Sequence, residues 1–240
     1  NVNTLFYGET PVYIAAVNGY GEAITALKTV GADVNTANKH GLTPFCVAAQ
    51  EGRAKAITAL VRAGAKVDMF DTDGTTWVCK AAETGRADVI SALKAAGANV
   101  DMPNKDGKTP AYIAAENGHA EVITALKVAG ANVDTPDKEG NTPVYVAVER
   151  RHLEVITALK AAGANVDMPD KDGRTPAFFA ALQGYTDIIS GLIASGANVN
   201  TPTPYGQTPL SVAAQFGREE IIKILIMAGT HLDTPDEDGM

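Results

Sequence analysis

The chain has 240 residues, 45% of them hydrophobic and 6% aromatic, and its 20 Lys+Arg against 28 Asp+Glu leave a formal charge of -8. That acidity excludes a phosphate-backbone ligand as the expected partner, because such binding depends on clustered Lys and Arg displacing counterions. No apolar run approaches the length of a membrane span, and the opening NVNTLFYGETP has neither the basic start nor the apolar stretch of a signal peptide; no membrane association and an intracellular, cytoplasmic location are expected.

The chain opens on Asn1-Val2-Asn3, which reads as the tail of an incomplete unit, and Gly8 then begins a series. Gly8, Gly41, Gly74, Gly107, Gly140, Gly173, Gly206 and Gly239 follow one another at a constant 33-residue interval. Two residues after the first seven stands Thr10, Thr43, Thr76, Thr109, Thr142, Thr175 or Thr208, followed by Pro in six units. A fixed period of this length marks a repeat architecture.

Within the unit that begins at Asp137, the polar Gly turn leads into Thr142-Pro143, which supplies an N-cap and a ring pre-set for the first helical turn. A short helix is predicted from there to about Glu149, its apolar face carried by Val146 and Ala147, and a second over Leu153 to Ala161. Gly163-Ala164 ends the second helix, since Gly tolerates the left-handed conformation that closes one. Asn165-Val166-Asp167 then runs extended with its Val turned inward, and with the next Gly turn it forms a projecting, hairpin-like finger. One unit cannot bury both helices alone, so units must stack. The prediction is an all-α solenoid of about seven repeats, a single array over 1–240 with incomplete units at both ends, closing on the turn Asp236-Glu237-Asp238-Gly239. Residues 88–111 and 154–177 differ only by Asp/Glu, Ser/Thr, Asn/Asp and Lys/Arg exchanges, which points to recent duplication or to consensus engineering.

The pattern resembles the ankyrin repeat: Thr-Pro opening the first helix, a Gly turn between the helices, and Gly-Ala followed by Asp-Val-Asn or Asn-Val-Asp after the second. The family's Leu-His appears here as Val12-Tyr13, Phe45-Cys46, Val78-Cys79, Ala111-Tyr112, Val144-Tyr145, Ala177-Phe178 and Leu210-Ser211, so its His bridge is absent; Tyr can offer a hydroxyl there and Phe cannot. Lys28, Lys94, Lys127 and Lys160 stand where the second helix usually carries Leu, and their stems can cover apolar surface.

Chemistry-bearing clusters are sparse. DMPDKDGRT from Asp167 has an acid-rich look, yet a calcium loop with Gly173 at its sharp turn would place Met168 and Phe179 at ligand positions. His119 and His152 are equivalents in adjacent units, about one helix-packing distance apart and too far to share zinc. Cys46 and Cys79 are separated in the same way, beyond disulfide reach, and are expected as reduced core thiols. No phosphate loop, nucleophile elbow or His-Glu-x-x-His occurs, so neither catalysis nor a cofactor or metal is expected.

The resemblance implies a protein-protein interaction module that grips a partner on its concave face, between finger tips and first helices. The contact candidates on the turns are Phe6, Tyr7 and Glu9; Lys39, His40 and Leu42; Thr72, Asp73 and Thr75; Lys105, Asp106 and Lys108; Lys138, Glu139 and Asn141; Lys171, Asp172 and Arg174; and Pro204, Tyr205 and Gln207. On the first helices the row is Val17, Gln50, Glu83, Glu116, Glu149, Leu182 and Gln215, whose three glutamates would favour a basic partner segment. The third unit departs most: Trp77 replaces the helix-start Pro and is either an interface anchor or a locally packed ring, and Lys80 can pair with Glu83 three residues on. A structural spacer and a scaffold self-associating through uncapped ends are the alternatives.

Overall fold

The computed structural model describes residues 2–4, 7–67 and 74–230. The described residues form fourteen helices in seven pairs: α1 (Pro11–Val17) with α2 (Gly21–Thr29), α3 (Pro44–Gln50) with α4 (Ala54–Arg62), α5 (Trp77–Glu83) with α6 (Ala87–Ala95), α7 (Pro110–Glu116) with α8 (Ala120–Val128), α9 (Pro143–Glu149) with α10 (Leu153–Ala161), α11 (Pro176–Gln183) with α12 (Thr186–Ala194), and α13 (Pro209–Gln215) with α14 (Glu219–Met227). Among the described residues there is no strand, so the expected fingers are hairpin-like in their turns alone. The closing turn at 236–239 lies outside the described residues.

Each first helix starts where a Thr hydroxyl can take an otherwise unpaired amide. Thr10, Thr142 and Thr175 accept from the N–H of Tyr13, Tyr145 and Phe178 at 3.2 Å. Thr76 accepts from Cys79 N–H at 3.1 Å although Trp77 follows it, so the hydroxyl cap suffices without the proline ring. The second helices end as the glycines require. At α10, Gly163 has φ 91°, and its N–H and that of Ala164 reach back to the carbonyls of Lys160 and Leu159, both at 2.9 Å.

The chain divides into two compact units, residues 1–110 with 125–131, and 111–124 with 132–240. In the first, α1 packs on α3 and α3 on α5, while α2 packs on α4 and α4 on α6. Ile24, Ile57, Leu60, Ile90 and Leu93 are fully buried between them. In the second, α9 packs on α11 and α11 on α13, with α10 on α12 and α12 on α14, around Ile156, Leu159, Ile188, Ile189 and Leu192. Val34 and Val100 in one unit and Val133, Val166 and Val199 in the other point inward from the extended segments, as predicted. Burying such a side chain contributes about 1.5–3 kcal/mol.

Candidate functional site

Four of the fingers are each built around one side chain. Asn38 Oδ1 accepts from His40 N–H at 2.9 Å and Leu42 N–H at 3.1 Å. Asn104 does the same for Asp106 and Lys108, both at 3.0 Å, Asp137 for Glu139 and Asn141, and Asp170 for Asp172 and Arg174. The acids of these turns therefore serve local amides, the usual structural role of Asx side chains in turns. The finger backbone closes on itself through pairs such as Asp170 N–H to Arg174 C=O and Gly173 N–H to Asp170 C=O, both 3.0 Å.

Tyrosines in place of the family's His brace these turns from the preceding repeat. Tyr145 donates its hydroxyl to Asp170 Oδ2 at 2.8 Å, Tyr112 bonds the side chain of Asp137, and Asn38 Nδ2 donates to the Tyr13 hydroxyl at 2.9 Å. Burial first, then the neighbouring carboxylate, pushes the hydroxyls of Tyr112 and Tyr145 well above the ordinary tyrosine range, so both remain donors at any physiological pH. Arg174 completes the Asp170 site with its Nε and Nη2 both 2.8 Å from Oδ2 and Nη2 2.7 Å from Asp172 Oδ2. Burial raises the Asp170 carboxyl, but the Arg174 amide, the Tyr145 hydroxyl and the Arg174 guanidinium outweigh it and hold the group below the ordinary carboxylate value.

A second brace gave no signal in the sequence. At the turn between paired helices, Arg53 Nε donates to the carbonyl of Val17 and Arg86 Nη1 to that of Gln50, both at 2.9 Å, and His152 Nε2 lies 3.3 Å from that of Glu116. Each reaches the end of a first helix one repeat earlier, where unpaired carbonyls carry the negative end of the helix dipole. His152 is thus a positioned bridge. Tyr185 occupies the same place in the next repeat, and Arg151 covers it: the guanidinium stands 4.9 Å above the Tyr185 ring and Nη2 3.1 Å from Asp187 Oδ1. Arg151 holds φ 62°, where its counterparts in other repeats are Gly.

On this frame the tip residues stand outward. Lys39, His40, Lys105, Asp106, Lys138, Glu139, Lys171, Asp172, Tyr205 and Gln207 are exposed, as is Tyr7 at φ 53°; Glu9, Leu42, Thr75, Lys108, Asn141 and Arg174 are half-buried. Phe6, Thr72 and Asp73 lie outside the described residues. On the first helices Gln50, Glu83, Glu149 and Gln215 are exposed, while Val17, Lys80, Glu116 and Leu182 are half-buried. Lys80 pairs with Glu83 at 3.5 Å, as the spacing predicts, and Arg150 with Glu116 at 3.3 Å. Trp77 is 4% exposed, its Nε1 buried without a hydrogen-bond partner, so its ring offers no face to a partner. Cys46 and Cys79 are buried and form no disulfide. Among the described residues no three His, Cys, Asp or Glu side chains are grouped to hold a metal ion, and no helix is long and apolar enough to cross a membrane.

Comparison with known proteins agrees with this architecture. The family model described as "Ankyrin repeats (3 copies)" matches residues 1–71, 78–170 and 158–236. No curated protein matches the sequence. Among solved structures, the ankyrin repeat domain of Bcl-3, described as a unique member of the IkappaB protein family, is similar with a TM-score of 0.77 at 28% identity, covering 92% of this chain and 100% of that one. Ankyrin repeats are in general non-enzymatic modules for protein-protein interaction. With seven helix pairs among the described residues and the family model matched over most of its length, the chain belongs to the ankyrin repeat family.

Proposed function

We propose that this array binds a partner protein through its finger tips and the exposed edge of its first helices, the concave face of an ankyrin solenoid, and that it has no catalytic role. The observation that carries this is the contrast within each finger. An Asx side chain fixes the turn in four of them, while the residues at the tip vary from Lys39-His40 to Lys105-Asp106, Lys138-Glu139 and Lys171-Asp172 and are exposed. A scaffold that fixes exposed and varied side chains binds with little further ordering, which lowers the entropic cost of association.

The acidic row adds a charge preference. Glu149 is exposed, and Glu83 and Glu116 meet Lys80 and Arg150 in partly exposed pairs, which typically contribute only about 0.2–1 kcal/mol. A basic partner segment can displace such pairs at small cost. Changing Glu83, Glu116 and Glu149 together to Gln should leave the helical signal and melting intact while weakening partner capture about tenfold and flattening its salt dependence. Affinity pulldown from lysate with mass spectrometry checks it; a retained partner indifferent to the substitutions removes the acidic row from the site.

One observation favours self-association as a second reading. Phe216, Ile226 and Met227, on α14 and the turn before it, are 52%, 48% and 87% exposed, and apolar side chains left at the surface favour association. Sedimentation at several concentrations separates the readings: a constant molecular mass discards association through this surface.

A further inference from the structure

The seventh finger lacks the acceptor on which the four fingers around Asn38, Asn104, Asp137 and Asp170 are built. Its backbone makes the same turn, with Thr203 N–H donating to Gln207 C=O at 2.8 Å and Gly206 N–H to Thr203 C=O at 2.9 Å. The amides of Tyr205 and Gln207 are therefore presented as those of Asp172 and Arg174 are toward Asp170 Oδ1. Here the central residue is Thr203, and among the described residues neither amide donates a hydrogen bond within the protein. The brace from the preceding repeat is missing as well. Phe178 stands where Tyr145 donates to Asp170, and Thr203, 6% exposed, keeps its Oγ1 buried with no partner.

These groups line a groove of about 430 Å³ between the sixth and seventh fingers. Lys171 stands at its rim with its ammonium donating to the Lys138 carbonyl and, among the described residues, pairs with no carboxylate, whereas Arg174 is already held by Asp170 and Asp172. The segment from Asn200 to Thr208 contains no charged residue, while the finger before it carries Asp170 and Asp172. Tyr205, 75% exposed, supplies a ring beside the opening. Two convergent amides, a hydroxyl without a partner and an unneutralised ammonium form an anion-binding concavity of the nest type.

From this geometry we propose that the groove between the sixth and seventh fingers accepts a side-chain carboxylate, Asp or Glu, from an extended partner peptide, which takes the place that Asp170 fills in the finger before. The proposal rests on the reading of the fingers as a partner surface and names one subsite and its chemistry. An amide hydrogen bond to a charged acceptor is stronger than one to a neutral group, so the subsite discriminates Glu from Gln.

The test is an ¹H–¹⁵N titration of the full chain with an end-capped Gly/Ser octapeptide carrying one central Glu. Saturable downfield shifts of the Tyr205 and Gln207 amides are expected, with affinity about tenfold above that of the Gln version of the peptide. T203D should supply the acceptor in cis, move both amides downfield in the free protein and abolish the titration; T203N, which adds the acceptor without the charge, does the same if T203D fails to fold. Amides that do not respond, equal affinity for the Glu and Gln peptides, a response surviving in the substituted proteins, or equal shifts with sodium acetate at the same concentration each overturn the proposal. None of those outcomes bears on partner capture through the acidic row, so the two readings fail separately.

Discussion

Replacing Asp170 with alanine is expected to lower the unfolding free energy by about 3 kcal/mol, the loss typical of removing one partner from a buried, charge-assisted network. Its carboxylate accepts from Tyr145, from two finger amides and from Arg174, and its side chain is 4% exposed. Alanine leaves Tyr145 and the two finger amides without this acceptor and Arg174 with Asp172 alone. Asp170→Asn keeps one acceptor oxygen for the amides and should cost only about 1 kcal/mol. The effect also has a pH signature. A carboxyl whose folded pKa lies below its unfolded value of about 3.9 stabilises the fold at pH above that value and loses this contribution as pH falls through the folded pKa. The gap between native protein and D170A should therefore be constant at neutral pH and narrow below about pH 4. Urea unfolding at several pH values measures it; a gap under about 1 kcal/mol at pH 7, or one that widens on acidification, would show that the network does not couple to unfolding.

The repeat made much of this fold legible. The bounds read for one unit, Thr142-Pro143 to Glu149 and Leu153 to Ala161, coincide with α9 and α10, because caps, proline and closing glycine all act within a few residues of chain. Interactions between repeats were legible only where a residue broke the family pattern. Tyr in place of His suggested a hydroxyl, and the structure supplies its partners in Asp137 and Asp170, while Phe178 faces a threonine without a partner. The bonds from Arg53, Arg86 and Arg218 to carbonyls 36 residues earlier gave no such signal, since an arginine beside a turn glycine reads as solvated until stacking brings the preceding repeat beneath it. Trp77 shows the limit for single residues: the sequence allows both an interface anchor and a locally packed ring, and the structure buries the ring, with Phe45, Val67 and Leu93 lining the cavity beside it. Which tip residues touch a partner depends on a second molecule, and no periodicity in this chain encodes that.

Gly173→Val should destabilise by about 3 kcal/mol, from two separable causes. The residue holds φ 75°, a conformation that costs a β-branched side chain on the order of 1–2 kcal/mol. A Cβ at Gly173 would also lie 2.7 Å from Pro204 Cγ and closer still to Cδ, and a pyrrolidine ring cannot swing aside as a flexible side chain can. Overpacking of this kind adds about 1–3 kcal/mol. Gly41 provides the control, since its φ is 79° and, among the described residues, a Cβ there meets nothing within 4 Å. Gly41→Val should then show the backbone cost alone, about 1–2 kcal/mol, and Pro204→Ala in the Gly173→Val background should recover most of the difference. Chemical denaturation of the four proteins decides it. Equal losses at Gly41 and Gly173 would mean that the sixth finger can move away from the seventh, and with it the groove these two fingers form.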